Sequence, residues 1–148
     1  MAQSNATTAR RLYQDWNKRD FDHLASLLSP SGEIVLVGSG TTFKGPAGAK
    51  KWAKMWADGF PDGRVKIEKV TEAGNRVVVQ FTGTGRHTGT LRAPGGEIPA
   101  TGRSVTLQLC DVLDFRAGKI KSLHSYFDSA SLLMQLGVMP EARVAAQV

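Results

Sequence analysis

An aspartate in the middle of an apolar strand face is the first residue here that invites chemistry. Asp111 alternates with Val105, Leu107, Leu109, Leu113 and Phe115, so an extended backbone puts all six on one face. A charge there is costly unless it is paired. Such a residue is either a structural acid bonded to Arg or Ser, or it serves a site by orienting a histidine, holding a water or acting as an acid. A second aspartate, Asp128, follows a β-rich run and directly precedes Ser129-Ala130-Ser131. An aspartate with the ordinary pKa near 3.9 is a weak base at neutral pH, and apolar surroundings raise that value. So placed, it could take a proton from a carbon beside a carbonyl and return one to an alkoxide. The same position suits a helix N-cap, and both readings stand.

His87 ends a strand pattern whose same-face residues include Val79, Phe81, Gly83 and Gly85. The two glycines leave space or allow strong curvature. The imidazole could polarise a carbonyl or move a proton near neutral pH; a hydrogen-bonded strand-end histidine is the alternative. On the last strand pattern, Ser122, His124, Tyr126 and Asp128 share a face. A polar face that also carries a Tyr and a His suits a pocket lining or, alternatively, a solvent-facing side. His124 and Tyr126 are therefore candidate substrate contacts. Trp16, Trp56 and Phe60 are candidate flat walls for an aromatic substrate, against the plainer reading of core packing.

Other chemistry is excluded by spacing. Gly83-Thr84-Gly85 followed by Gly89 lacks the dinucleotide fingerprint and no helix follows. Three scattered histidines and one cysteine give no zinc spacing, so no metal site is expected. Cys110 faces away from Asp111 and reads as packing.

These residues need elements to hold them. Thr7 or Thr8 can cap a first helix with Ala9, Leu12, Tyr13 and Trp16 on one side. Asp20 can cap a short second helix, which Ser29-Pro30-Ser31-Gly32 stops. A strand is expected from Glu33 to Val37, then a loop or strand edge from Gly38 to Gly45. A third helix begins at Pro46 and runs to about Ala57. The second half is strand-rich: Val65 to Val70 pairs with Arg76 to His87, and Arg103 to Phe115 turns at Ala117-Gly118 into Lys119 to Phe127. A last helix covers Ser129 to Leu136. Helices, a strand, a helix, antiparallel strands and a helix make an α+β order.

The chain has 148 residues, which suits one domain over 1–148, with the tail after about 138 expected to be loose. No apolar run is long enough to cross a bilayer and the start is polar, so no membrane partner and a cytoplasmic location are expected. Cys110 stands alone, so no internal disulfide forms. The net charge of +6 is scattered and reads as a solvated surface rather than a nucleic-acid interface.

A series of short motifs then points to a family. It comprises Phe60-Pro61-Asp62, Gly85-Arg86-His87-Thr88-Gly89, Pro99-Ala100-Thr101-Gly102, Gly118-Lys119-Ile120, Tyr126-Phe127-Asp128 and Leu133-Met134-Gln135-Leu136-Gly137. In this order and spacing the series resembles the SnoaL-like polyketide (ester) cyclases of the nuclear-transport-factor-two-like superfamily. The resemblance runs from the first helix to Pro140. It implies a cone of curved antiparallel sheet around a pocket, packed on the N-terminal helices, and commonly a homodimer. It also implies aldol-type ring closure on a small apolar or aromatic carbonyl substrate without a cofactor, with the family's acid/base aspartate matching Asp128. On this reading His87 stabilises the oxyanion and Asp111 supports the site. The chain departs from many relatives in carrying His124 where they carry Trp. The superfamily also holds isomerases, dehydratases, epoxide hydrolases and non-catalytic binders, so those remain alternatives.

Overall fold

The computed structural model describes residues 4–93 and 95–139; the expected loose tail lies outside them apart from its first residues. Helix α1 spans Asn5–Lys18 and starts one turn earlier than the threonines suggest. Ser4 is the cap, its Oγ accepting the Thr7 N–H at 3.1 Å. The expected face is the buried one: Ala9, Leu12, Tyr13 and Trp16 are all at most 8 % exposed. Asp20 caps α2 (Phe21–Ser26) by accepting the His23 N–H at 3.1 Å.

Strand β1 runs Leu28–Leu36, so it begins well before the expected Glu33. Pro30 does not stop it, because the pairing with the last strand breaks register between Leu28 and Glu33. A proline is tolerated at such an irregularity, where its missing N–H costs no ladder bond. β2 (Thr41–Lys44) folds back on β1, and α3 (Gly45–Gly59) follows with Pro46 in its first turn. β3 (Arg64–Ala73) and β4 (Arg76–Arg86) form the expected hairpin. A small ribbon, β5 (Leu91–Ala93) with β6 (Gly96–Ile98), is an addition to the expected elements. β7 (Ser104–Arg116), β8 (Lys119–Phe127) and α4 (Ser129–Leu136) fall as expected.

The main sheet has the order β2-β1-β8-β7-β4-β3. All its pairings are antiparallel except β1 with β8, which is parallel, so the sheet is mixed. The crossover arises because β1 is separated from β8 by most of the chain yet sits beside it. α1 packs on β3 and β4, α3 on β1, and α4 on β7. The result is a curved sheet with helices over its concave side and one apolar core between them. No helix among the described residues is long and apolar enough to cross a membrane.

Candidate active site

The space between sheet and helices is a cavity of about 90 Å³. One water needs roughly 10–15 Å³ by the same kind of measure, so this space admits the body of a small ligand. Helix α1 contributes Leu12, Tyr13 and Trp16 to its wall; α3 and the residue after it contribute Trp52, Trp56 and Phe60. The sheet contributes Phe81, Gly83 and Gly85 from β4, Leu107 and Leu109 from β7, and Ser125 from β8. The Gly85 position has no room for more: a Cβ would lie 3.1 Å from both Gly63 Cα and Phe60 Cβ. All three tryptophans of the chain therefore face one cavity, as does Phe60. Trp16 spends its indole N–H on the Ala53 carbonyl at 3.0 Å. The buried Trp52 Nε1 has no partner.

Asp111 lies behind this wall, fully buried. Its Oδ2 accepts the Tyr13 hydroxyl at 2.7 Å, and its Oδ1 has no hydrogen-bond partner. Ser125 is its cross-strand partner. Burial raises the carboxyl from 3.8 to about 6, with the hydroxyls of Ser125 and Tyr13 pulling the other way. Burial and then the negative charge of Asp111 hold the Tyr13 phenol well above its usual value. Of the partners the sequence offers, Ser is met by Ser125, whereas no Arg or His among the described residues bonds this aspartate. Tyr13 and Ser125 line the cavity and Asp111 backs them, so any proton exchanged with a ligand passes through a hydroxyl.

The pair forms because each residue meets the other's need. A tyrosine on a buried helix face must find an acceptor for its O–H, and an acid on an apolar strand face must find a donor. α1 crosses β3 and β4, next to β7, and brings the two together over 98 residues of chain. Reading the sequence for titratable groups alone passes over Tyr13 and Ser125, because both sit in apolar patterns. The signal that could have found them is this matching of unmet needs across two buried faces.

His87 is fully buried and directly follows β4. Its Nδ1 accepts the Thr101 N–H at 3.1 Å, which leaves the ring proton on Nε2, an atom without a partner. Burial lowers its pKa, against a smaller opposing effect from the Ile98 carbonyl, so the ring is neutral at pH 7. Phe60 packs against it with ring centroids 5.4 Å apart and stands on the cavity wall. His87 therefore buttresses the wall and is not among the residues lining it, which separates it from the oxyanion role.

Three expected site residues lie elsewhere. Asp128 is exposed and caps α4, its Oδ1 accepting the Ser131 N–H at 3.1 Å. This is the cap geometry that the sequence offers as one of its two readings. His124 and Tyr126 share a face as expected, but it is the outer face of the sheet. Tyr126 is 44 % exposed, whereas Leu123 and Ser125 on the opposite face are buried. The polar face of β8 meets solvent and the apolar one meets the cavity, because the cavity itself is mostly apolar. Asp128→Asn is expected to change turnover by less than threefold, since Asn caps as well as Asp, while Asp128→Ala costs about 1 kcal/mol of stability. Urea unfolding beside a turnover assay checks both.

The family model for SnoaL-like polyketide cyclases matches residues 6–136. A search among curated proteins finds no significant match. Among solved structures, a SnoaL-like polyketide cyclase candidate from Jannaschia sp. CCS1 superposes with a TM-score of 0.80 at 21 % identity, covering 95 % of this chain and 99 % of that one. The polyketide cyclase candidate IdmH from Streptomyces antibioticus gives 0.75 at 24 % identity, covering 92 % and 100 %. A protein of ketosteroid isomerase-like fold from Catenulispora acidiphila, solved with trimethylamine, gives 0.74 at 20 % identity, covering 89 % and 93 %. The likeness to these structures establishes the fold, and the match over residues 6–136 establishes the lineage: the chain belongs to the SnoaL-like polyketide cyclase family.

Proposed function

We propose that the chain is an acid/base enzyme acting on a small apolar, aromatic carbonyl compound, by aldol-type ring closure of a polyketide ester. The observation that carries this is the Tyr13–Asp111 hydrogen bond, buried in the wall of an otherwise apolar cavity. A carboxyl near 6 is a stronger base than an ordinary aspartate and still loses its proton below neutral pH. In the forward step the Tyr13 oxygen takes a proton from the carbon beside the substrate carbonyl as its own proton moves to Asp111 Oδ2. The C–H bond breaks, an enolate forms, and tyrosine stays neutral. The enolate carbon then attacks the second carbonyl. Reversal of the relay delivers the proton to the new alkoxide, so nothing is gained or lost overall. The Ser125 hydroxyl and the free Trp52 N–H are donors available to the developing oxyanion. Trp16, Trp56 and Phe60 hold the rings flat. The chemistry asks for no cofactor.

The test is incubation with aromatic polyketide esters in D₂O. A ring-closed product, isomeric with the substrate apart from deuterium taken up at the exchanging carbon, supports the proposal. A binding domain of the same fold would hold the ester without converting it, and a hydrolase or dehydratase would change its composition by a water.

The outer sheet face suits the dimer implied by the family. Val78, Val112, His124 and Val35 lie in register across four strands, beside exposed Tyr126 and Val37. A second copy would cover this face, and a cytosolic setting accords with the lone Cys110. Sedimentation is expected to give twice the 15.9 kDa chain mass for the native protein and the single mass for Tyr126→Asp. A native protein sedimenting as one chain contradicts it.

A further inference from the structure

The cavity as it stands is small for the compound proposed to fill it. It holds about 90 Å³, whereas a cavity of roughly 150 Å³ takes up one benzene ring. A ring-bearing ester therefore enters fully only if part of the wall moves. Most of the wall is closely packed and resists this. α1 packs on β3, β4 and α2, and α3 packs on β1, β2, β5 and α2. α4 is different: among the described elements it packs chiefly on β7. Yet α4 helps to close the cavity, because Leu132 stands in the lining and is buried.

The attachments of α4 suit a swinging element. It follows β8 with a single residue, Asp128, between them, so rotation at that joint moves the whole helix. Leu132 and Leu136 are four apart and form a buried apolar stripe. Ser131 and Gln135, also four apart, form a polar stripe beside it. β8 ends at Phe127, opposite Leu109, so β7 from Ser104 to Gln108 has no strand on that side. Gln135 fills the gap. Its Oε1 accepts the Thr106 N–H at 2.9 Å and its Nε2 donates to the Thr106 carbonyl at 3.0 Å. Nε2 also donates to the Ser131 Oγ at 3.1 Å, which holds the amide in this pose. The two bonds to Thr106 are exposed, so water takes them over when the helix lifts. At the far end the Arg103 guanidinium lies against Gly137, where a Cβ would come 2.7 Å from its Nε. A cation is favourable there, at the negative end of the helix.

We infer that α4 is the door of the cavity, with Leu132 as its plug and Gln135 as its latch. This rests on the cavity being the ligand site, as proposed above. Lifting α4 takes the Leu132 side chain out of the lining and adds its volume to the space for the ligand. Closure puts Leu132 back against the ligand and keeps water from the Tyr13–Asp111 pair.

The test reads the door without a ligand first. In the full chain carrying Cys110→Ser, a single thiol is placed at the plug (Leu132→Cys) or in the fixed core (Val77→Cys), where the native residue is also buried. Labelling by dithiobis(nitrobenzoate) should run about a hundredfold faster at the plug, because a local opening costs less than global unfolding. Adding Gln135→Ala should speed labelling of the plug about fivefold, the loss expected from one or two hydrogen bonds, and leave the core thiol unchanged. Equal rates at the two positions, or a Gln135→Ala effect shared by both, overturn the door. Stopped-flow binding of methyl 2-naphthoate, followed by the fluorescence of the three tryptophans that line the cavity, then links the motion to entry. The association rate should level off at high ester concentration, at a plateau that Gln135→Ala raises. A rate that climbs without a plateau and ignores Gln135→Ala overturns the door even if the helix moves. Failure of the ester to bind, with the plug labelling fast, overturns the cavity as an ester site and leaves the mobile helix standing.

Discussion

Asp111→Asn is expected to lose at least a hundredfold in turnover and to become more stable at the same time. The loss follows from the relay: an amide cannot take the Tyr13 proton, and general acid–base catalysis contributes on the order of 10²–10⁴-fold. The gain follows from burial. In the unfolded chain the carboxyl ionises near 3.8, and in the folded protein near 6. Between those values folding takes up a proton, so stability falls as pH rises through this window and the penalty persists above it. A carboxyl displaced that far costs on the order of 3 kcal/mol at neutral pH. Asparagine keeps the shape and can still accept the Tyr13 hydroxyl without the charge. Urea unfolding at pH 8 should therefore show a gain of up to about 3 kcal/mol, and at pH 4 almost none. An aspartate present only for structure would lose stability on this substitution. Tyr13→Phe should share the loss of turnover, because the relay fails at either end.

Gly89→Ala is expected to destabilise the fold by about 3 kcal/mol or more, the upper end for overpacking. A Cβ at this position would overlap the Asp58 carbonyl oxygen, a backbone atom at the end of α3 that cannot swing aside. Relief requires the segment around 89 to part from α3. That also disturbs Leu91, which packs on Gly59, and Phe60, which walls the cavity. The accompanying loss should include weaker ligand binding. Gly95→Ala is the control: a Cβ there meets nothing within 4 Å, and its stability should stay within about 0.5 kcal/mol of the parent. Chemical unfolding of the two variants side by side checks the contrast.

The elements that position the site were legible where side-chain period and turn chemistry agree. β8 and α4 begin and end where alternation gives way to the Asp128 cap. Asp111 stood out because a charge on an apolar face violates the pattern around it. The partner that explains it, Tyr13, did not, because its own pattern is satisfied and the contact spans most of the chain. β8 shows the limit of parity. Alternation sorted its residues correctly into two faces, but which face turns inward depends on β1, β7 and the helices above. The polar face of β8 suits a pocket lining by composition, yet the cavity is lined by Leu107, Leu109 and a small Ser125. Asp128 fits a cap by local geometry alone; its family match carries the catalytic expectation, and the structure places it exposed just past the end of β8, outside the cavity lining. The length of β1 was hidden by Pro30, whose stop signal is cancelled by a bulge that only the pairing with β8 creates.

The proposed relay requires that Asp111 and Tyr13 hold an exchangeable proton behind the cavity wall. Carboxyl carbon NMR, with the signal assigned by its absence in Asp111→Asn, measures this without any substrate. A titration midpoint near 6, moved on Tyr13→Phe, is the predicted result. A midpoint at or below the ordinary aspartate value would mean a well-solvated or ion-paired acid, and would contradict the relay.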